Sequence, residues 1–369
     1  MTTPQPLRLG IEPGYDGGMV GAWLLDLPGA FGWARNREAA ISQSASVAGW
    51  WRDWLEQHDE TWSLGALGST EVTEDVAATV LDDGYERNAT FARDRRPVTG
   101  DELEAALRRL GYARQDLLTT IAQLGGIERD DGERSGEEVL RHLAAAEIWL
   151  GSRLDAGARY PGRTDEPDAG AHLAATRAWA VDNLRRLWAA SEAGALARER
   201  TDGKGETWTL AKVVRRYVYH SVDHLRELQR RIARADGWAD RLRLDTSRLR
   251  DVGPLVRLLR SVGWDRRTLD RQRLQRALDG SQAMVGLWDR TELVAFAREI
   301  GDGEFNALIS MVVVDPRWQG LGLATRLIEV LMGDRAGVRF MLNSAAGLDE
   351  FYARFGFERD ASAMVRRAG

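Results

Sequence analysis

The chain reads as a multidomain α+β protein in three parts: a small α/β domain over residues 1–96, an all-α four-helix bundle over 97–235, and a mixed α/β domain over 236–369. Three observations predict this. Short alternating runs broken by turn signals open the chain. Four long stretches with helical apolar spacing fill its middle. Near its end a β-branched run stops at a Gly-rich turn and a helix-forming sequence. A length of 369 residues suits two or three domains.

In the first part, Leu7-Arg8-Leu9-Gly10-Ile11-Glu12 alternates, Tyr15-Asp16-Gly17-Gly18 is a hairpin turn, and Met19 to Leu25 is a second strand. Asp26-Leu27-Pro28-Gly29 turns the chain out of it. Arg37 to Leu55 spaces Ala40, Val47, Trp50, Trp51 and Trp54 on one helical face. The order Gly17-Gly18, Ala22-Trp23, Asp26-Leu27-Pro28-Gly29 and Arg37-Glu38-Ala39 resembles the HicB-like small α/β domain known from antitoxins. That resemblance implies binding or assembly. No catalytic constellation is visible here, and His58, near a polar helix end, reads as solvated. Extended stretches around Glu71-Val72 and from Ala77 to Thr79 precede a boundary at Pro97, since proline disfavours helix just before it.

The middle part is helical. Thr99 and Glu102 form a capping box before Leu103, Leu107, Leu110, Leu117 and Ile121. Ser135 caps a second helix through Val139, Leu143, Ala146 and Leu150. A third runs near His172 to Ala190, with His172 read as surface or capping. A fourth starts near Thr209 and carries Tyr217, Leu225, Leu228 and Ile232. His220 and His224, four apart, share one face of it, and His142 lies beside the inward stripe of the second helix. Three neutral imidazoles from two helices can hold one divalent metal and leave a position open for water or substrate. Leu140-Arg-His142-Leu-Ala-Ala-Ala-Glu147, Trp208-Thr-Leu and His220-Ser-Val-Asp-His224 resemble the DinB-like bundle superfamily. Its implied metal ligands are His142, His220 and His224, and its implied metal is zinc or another first-row divalent ion. Characterised members include metal-dependent thiol transferases and isomerases.

In the last part, Val312-Val313-Val314 runs into Asp315-Pro316-Arg317-Trp318-Gln319-Gly320-Leu321-Gly322, and Ala324 to Met332 forms helix. A strand, a tight glycine turn and a helix N-terminus gather backbone N–H groups at the positive end of a helix dipole. The pattern predicts a pyrophosphate site. Arg317-x-x-Gly320-x-Gly322 with Ala324 resembles the acetyl-CoA signature of the GNAT N-acetyltransferase superfamily. Leu259 to Trp264 is similar to that family's first helix and turn, Leu293 to Gly303 to its central hairpin, and Phe351-Tyr352 with Phe355-Gly356-Phe357 to its C-terminal segment. The resemblance implies a pyrophosphate cradled by N–H groups from Gln319 to Ala324, with Arg317 adding charge. It implies a pantetheine arm paired along Met311–Val314, through the backbone of Val312 and Val314, and Tyr352 as the acid that protonates the leaving thiolate. Asn343, at the end of an apolar run, is a further candidate for contact with cofactor or substrate. Met311 stands where many relatives carry a carboxylate base. Glu299, Asp302 and Glu304 read as nearby loop residues, and a water-mediated base or an amine that arrives neutral stays open.

Composition excludes several classes. With no cysteine there is no disulfide, thiolate metal site or cysteine nucleophile. A net charge of −5 argues against a general nucleic-acid binder. No apolar run reaches spanning length and no signal-peptide core is seen, so the cytoplasm is the expected location, with no membrane partner. The reading is an N-acetyltransferase moving acetyl from acetyl-CoA to a small-molecule or protein amine. Its alternatives are a metal-dependent thiol transferase or isomerase with an accessory C-terminal domain, or an acyl-CoA-sensing regulator without turnover.

Overall fold

The computed structural model describes residues 6–62, 64, 70–125, 134–235, 237–362 and 364–365. The expected boundary residue 236 lies outside them. Strands β1 (Leu7–Gly14), β2 (Met19–Leu24), β3 (Phe31–Ala34) and β4 (Thr70–Asp75) form a sheet in the order β3-β2-β1-β4. β1 and β2 are antiparallel, and β1 and β4 are parallel. The β1–β2 turn uses left-handed backbone at Asp16 and Gly17, as its sequence requires. Helix α1 (Arg37–Gln57) is capped by Asn36, which accepts from the Ala39 N–H at 2.9 Å. It lays Ala40, Val47, Trp51 and Trp54 on the sheet.

Four long helices follow: α2 (Gly100–Gln123), α3 (Gly136–Gly151), α4 (Ala169–Glu192) and α5 (Leu210–Ala233). Capping boxes at Thr99/Glu102 and Ser135/Glu138 start the first two. α2 packs on α5, and α3 packs on both α4 and α5. Glu147, buried on α3, pairs with Arg177 of α4 rather than joining the histidines. Arg177 in turn donates to the Leu110 carbonyl and the Ser221 hydroxyl, so one ion pair ties all four helices. A single apolar core runs from Leu7 of the sheet through α1 to Leu228 of α5. Trp23 and Phe31 also pack on Tyr219, with ring centroids 5.0 and 4.8 Å apart.

The last sheet has the order β9-β8-β7-β6-β5, built from β5 (Leu242–Asp245), β6 (Ala283–Asp289), β7 (Glu292–Gly301), β8 (Asn306–Val314) and β9 (Arg339–Leu342). Its pairs are antiparallel except β8–β9. Helices α6 (Gly253–Ser261) and α7 (Arg271–Asp279) cover one face, and α8 (Leu323–Met332) with the short α9 (Asp349–Ala353) covers the other. β7 is buried on both faces from Leu293 to Glu299, which is why Leu293 to Ala297 reads as a continuous apolar run.

Helix α1 also meets this last unit. Buried Arg52 pairs with Asp265 and donates to the Arg260 carbonyl at 2.9 Å, and Arg260 pairs with Glu56 at 2.7 Å. A Cβ on Gly49 would stand 2.5 Å from the Arg260 carbonyl oxygen, so glycine is what allows the two helices to approach.

Candidate active site and histidine cluster

Strand β8 pairs with β7 along its length but with β9 only from Asn306 to Ile309. Between Ser310 and Val313 two residues, Met311 and Val312, oppose the single residue Ala297, and Met311 takes φ 56°. This is a β-bulge. It switches the faces of the strand. Ile309 packs in the core beneath α8, whereas Met311 and Val313, which strict alternation would put beside it, pack with α6 and α7. Val312 and Val314 consequently turn towards α8. Beyond Ile309 the β9-facing edge of β8 pairs with no strand among the described residues. Such an edge is a row of N–H and C=O groups that an extended, amide-bearing ligand can join.

The edge leads straight into the glycine turn. Asp315 accepts the Arg317 N–H at 2.8 Å and caps the single turn Pro316–Trp318. The Gln319 side chain donates to the Val314 carbonyl at 3.0 Å and closes the loop. Gly320 and Gly322 have φ 83° and 75°, a region that costs other residues about 1–2 kcal/mol. Gly322 caps α8 without a side-chain hydrogen bond, and a Cβ there would meet nothing within 4 Å. The first-turn N–H groups of α8, that of Ala324 among them, thus receive no side-chain cap from Gly322 and lie at the positive end of the helix dipole.

Arg317 does not sit as expected. Its guanidinium is bound by Asp315 at 3.0 and 2.9 Å and also by Glu292, so two carboxylates compensate its charge. A cation reaches the loop from elsewhere: Arg234, at the end of α5, donates to the Gln319 carbonyl at 2.6 Å. Tyr352 lies in the same core as Trp318, Leu323 and Leu327, edge-on to Phe351 and Phe357 at 5.0 and 6.1 Å. Burial raises its hydroxyl pKa and keeps the group protonated. Asn343 is exposed just past β9, and no hydrogen bond of its side chain is found among the described residues. Glu299 is not a loop residue. It is fully buried on β7 and paired with Arg335 at 2.9 Å, which makes it a structural carboxylate. Asp302 accepts three backbone N–H bonds in the β7–β8 turn, which hold its pKa at about 2.

In the helical unit, His142, His220 and His224 come together. His142 Nε2 and His220 Nε2 are 3.0 Å apart, and one nitrogen from each of the three rings lies within 4.8 Å of the others. His224 Nδ1 is 2.8 Å from Glu227 Oε2, a carboxylate that orients the ring and frees its other nitrogen. Burial, then the neighbouring His224, pushes His142 down to about 4. The same causes, with His142 added, hold His220 well below its usual value. Both imidazoles are therefore neutral at pH 7, the form a metal binds. The donor set fits a divalent first-row ion, with three nitrogen ligands, one oriented by a carboxylate.

Two other histidines differ from expectation. His58 is not solvated: it bonds Asp116 at 2.8 Å and stacks on Tyr112 at 4.2 Å. His172 lies inside α4, 5% exposed, with no hydrogen-bond partner for either ring nitrogen among the described residues. Neither joins the cluster.

Residues 262–369 match the family model described as an acetyltransferase (GNAT) domain. This part of the chain is a GNAT domain. Similar proteins include serotonin N-acetyltransferase 2, chloroplastic, from Oryza sativa subsp. japonica. It is 39% identical over 122 residues, which are 31% of this chain and 60% of that protein. An uncharacterized N-acetyltransferase, ycf52-like, from Prochlorococcus marinus is 35% identical over 114 residues, 29% of this chain and 62% of that protein. The chain thus spans less than two thirds of the length of these relatives. A solved ribosomal-protein-alanine N-acetyltransferase from Brucella melitensis biovar Abortus 2308 is 22% identical, aligned over 34% of this chain and 99% of its own, with TM-score 0.30. The unpaired β8 edge and the glycine turn both fall within the GNAT domain. No helix among the described residues is long and apolar enough to cross a membrane.

Proposed function

We propose that the chain transfers an acetyl group from acetyl-CoA to a primary amine. The observation that carries this reading is the open β8 edge joined to an uncapped helix N-terminus inside the GNAT domain. Backbone N–H groups from Gln319 to Ala324 bind the pyrophosphate, and Val312 and Val314 pair with the pantetheine amides. The neutral amine attacks the thioester carbonyl, a C–N bond forms and the C–S bond breaks. Tyr352 gives its hydroxyl proton to the departing sulfur, and the amine loses a proton to water. Glu299 is tied to Arg335 and Asp302 to its own turn, so neither is a free base for this step. This favours an acceptor that arrives neutral or a base that is water.

We read the helical unit as a DinB-like four-helix bundle and the N-terminal unit as HicB-like. His142, His220 and His224 would hold a divalent ion, zinc first among the candidates, with Glu227 setting the tautomer of His224. Such an ion supplies Lewis acidity or a water of lowered pKa. Calorimetry with acetyl-CoA, with metal content measured on the same sample, tests both sites. About one equivalent of acetyl-CoA and one of metal, the latter lost in His220→Ala, is the expected outcome. No acetyl-CoA binding would overturn the transferase reading. Serotonin, the acceptor in the name of the rice relative, opens the amine screen.

A further inference from the structure

We propose that Arg298, aided by Arg267, binds an acidic group on the acceptor, so that the amine acetylated belongs to a molecule that also carries a carboxylate or phosphate. This rests on the reading that the GNAT domain takes acetyl-CoA and an amine. Arginine is almost never buried without a counter-charge. Arg298 is 8% exposed, and no ion pair of it is found among the described residues. Its Nη1 donates to the Ala277 carbonyl and, at 3.3 Å, to the Ser281 hydroxyl, which anchors the guanidinium by one side. Nε is buried with no hydrogen-bond partner, and Nη2 makes no hydrogen bond among the described residues. That Nε/Nη2 edge is one that grips a carboxylate with two parallel bonds. Arg215 and Arg317 use it so, on Asp94 at 3.0 and 2.8 Å and on Asp315 at 3.0 and 2.9 Å.

The C-terminus of α7 does not account for the charge, because Arg248 already serves it, donating to the Asp279 and Ser281 carbonyls at 2.8 and 3.3 Å. Arg267 adds a further cation. It is exposed in the turn Asp265–Arg267 after α6, 5.0 Å over the Trp264 ring, and no ion pair of it is found among the described residues. Burial, then the charge of Arg267, hold the pKa of Arg298 below the usual arginine value. A bound anion relieves both effects. The place suits an acceptor. Arg298 lies directly across from Ser310 of β8, the residue after the last that pairs with β9, so the open edge begins there and the Met311 bulge follows. Two guanidiniums against one acid also leave positive charge, which disfavours an ammonium and suits an amine that attacks in its neutral form.

The test uses the full chain saturated with CoA, so that the glycine turn is filled. Wild type, Arg298→Gln and Arg267→Gln are melted in acetate, phosphate or chloride at one ionic strength. Acetate or phosphate should raise the wild-type melting temperature above that in chloride. Arg298→Gln should lose most of that shift and Arg267→Gln part of it. Equal shifts in wild type and Arg298→Gln overturn the proposal. Turnover is then compared within matched acceptors, serotonin against 5-hydroxytryptophan for the carboxylate and ethanolamine against phosphoethanolamine for the phosphate. In at least one pair the acidic member should have the larger kcat/KM, and the pair that responds tells which acid is read. In Arg298→Gln its KM should rise about tenfold to a hundredfold with kcat little changed and the neutral member unaffected. A wild type that prefers the neutral members, or a variant that slows both members alike, overturns the proposal. If no member is acetylated, the melting comparison decides alone. A wild type that binds no CoA sinks the transferase reading instead. If Arg298→Gln does not fold, Arg298→Lys, which keeps the charge without the two-pronged edge, replaces it and should show a smaller anion shift than wild type; an equal shift overturns the proposal.

Discussion

Replacing Gly322 by alanine separates two roles of one residue. Its φ of 75° puts the new Cβ in left-handed backbone, which costs about 1–2 kcal/mol. Nothing in the protein lies within 4 Å of that Cβ, so no clash adds to the cost. A second effect arises only if a phosphate fills that space, because the methyl would then hold it off the α8 N–H groups. Losing one charge-assisted bond of roughly 1.5–3 kcal/mol weakens binding by about tenfold to a hundredfold. Gly84, at φ 80° in a distant hairpin and also with nothing within 4 Å, is the matched control. Both variants should lose similar stability in urea, and only Gly322→Ala should lose acetyl-CoA affinity in calorimetry. Equal affinities in the two variants would refute the placement of the anion against the N-terminus of α8.

Two further outcomes are expected. Tyr352→Phe should lower turnover by about 10²–10⁴-fold, the usual worth of a positioned acid, with acetyl-CoA affinity unchanged in calorimetry; full retention of turnover would remove Tyr352 from the chemistry. Arg52→Ala breaks the buried pair with Asp265 between α1 and the GNAT domain and should cost about 3–5 kcal/mol in urea unfolding, with Arg52→Ala/Asp265→Ala costing less than the single variant.

What the sequence reveals follows the range of the interactions. The hairpin at Tyr15 to Gly18, the two capping boxes and the strand-turn-helix around Gly320 and Gly322 are set by residues within a few positions of each other, so local chemistry writes them legibly. The histidine cluster is legible for a related reason. An i, i+4 pair needs only the helix period, and His142 needs only that its helix pack on α5. Other features have no local mark. Met311 carries the bulge although methionine has no preference for positive φ, so the switch of faces on β8 is decided by its pairing with β7. Glu299 looks like a loop carboxylate until Arg335, 36 positions on, is seen beside it. His58 finds Asp116 and Arg234 finds Gln319 across 58 and 85 positions. No periodicity in either segment foretells those meetings. The pairing of Arg317 is half legible: Asp315 lies two positions before it, whereas Glu292 lies 25 positions away.

The apolar core that joins Leu7 to Leu228 has a consequence for how the chain is made. Synthesis delivers β1 and the Trp-rich face of α1 long before α5, which packs on Trp23 and Phe31. Until some two hundred further residues have left the ribosome, Trp23 and Phe31 lack the Tyr219 ring that packs on them. Contacts of such long sequence separation slow folding and leave sticky intermediates. The N-terminal sheet thus gains the last of its packing only when the helix that bears His220 and His224 arrives.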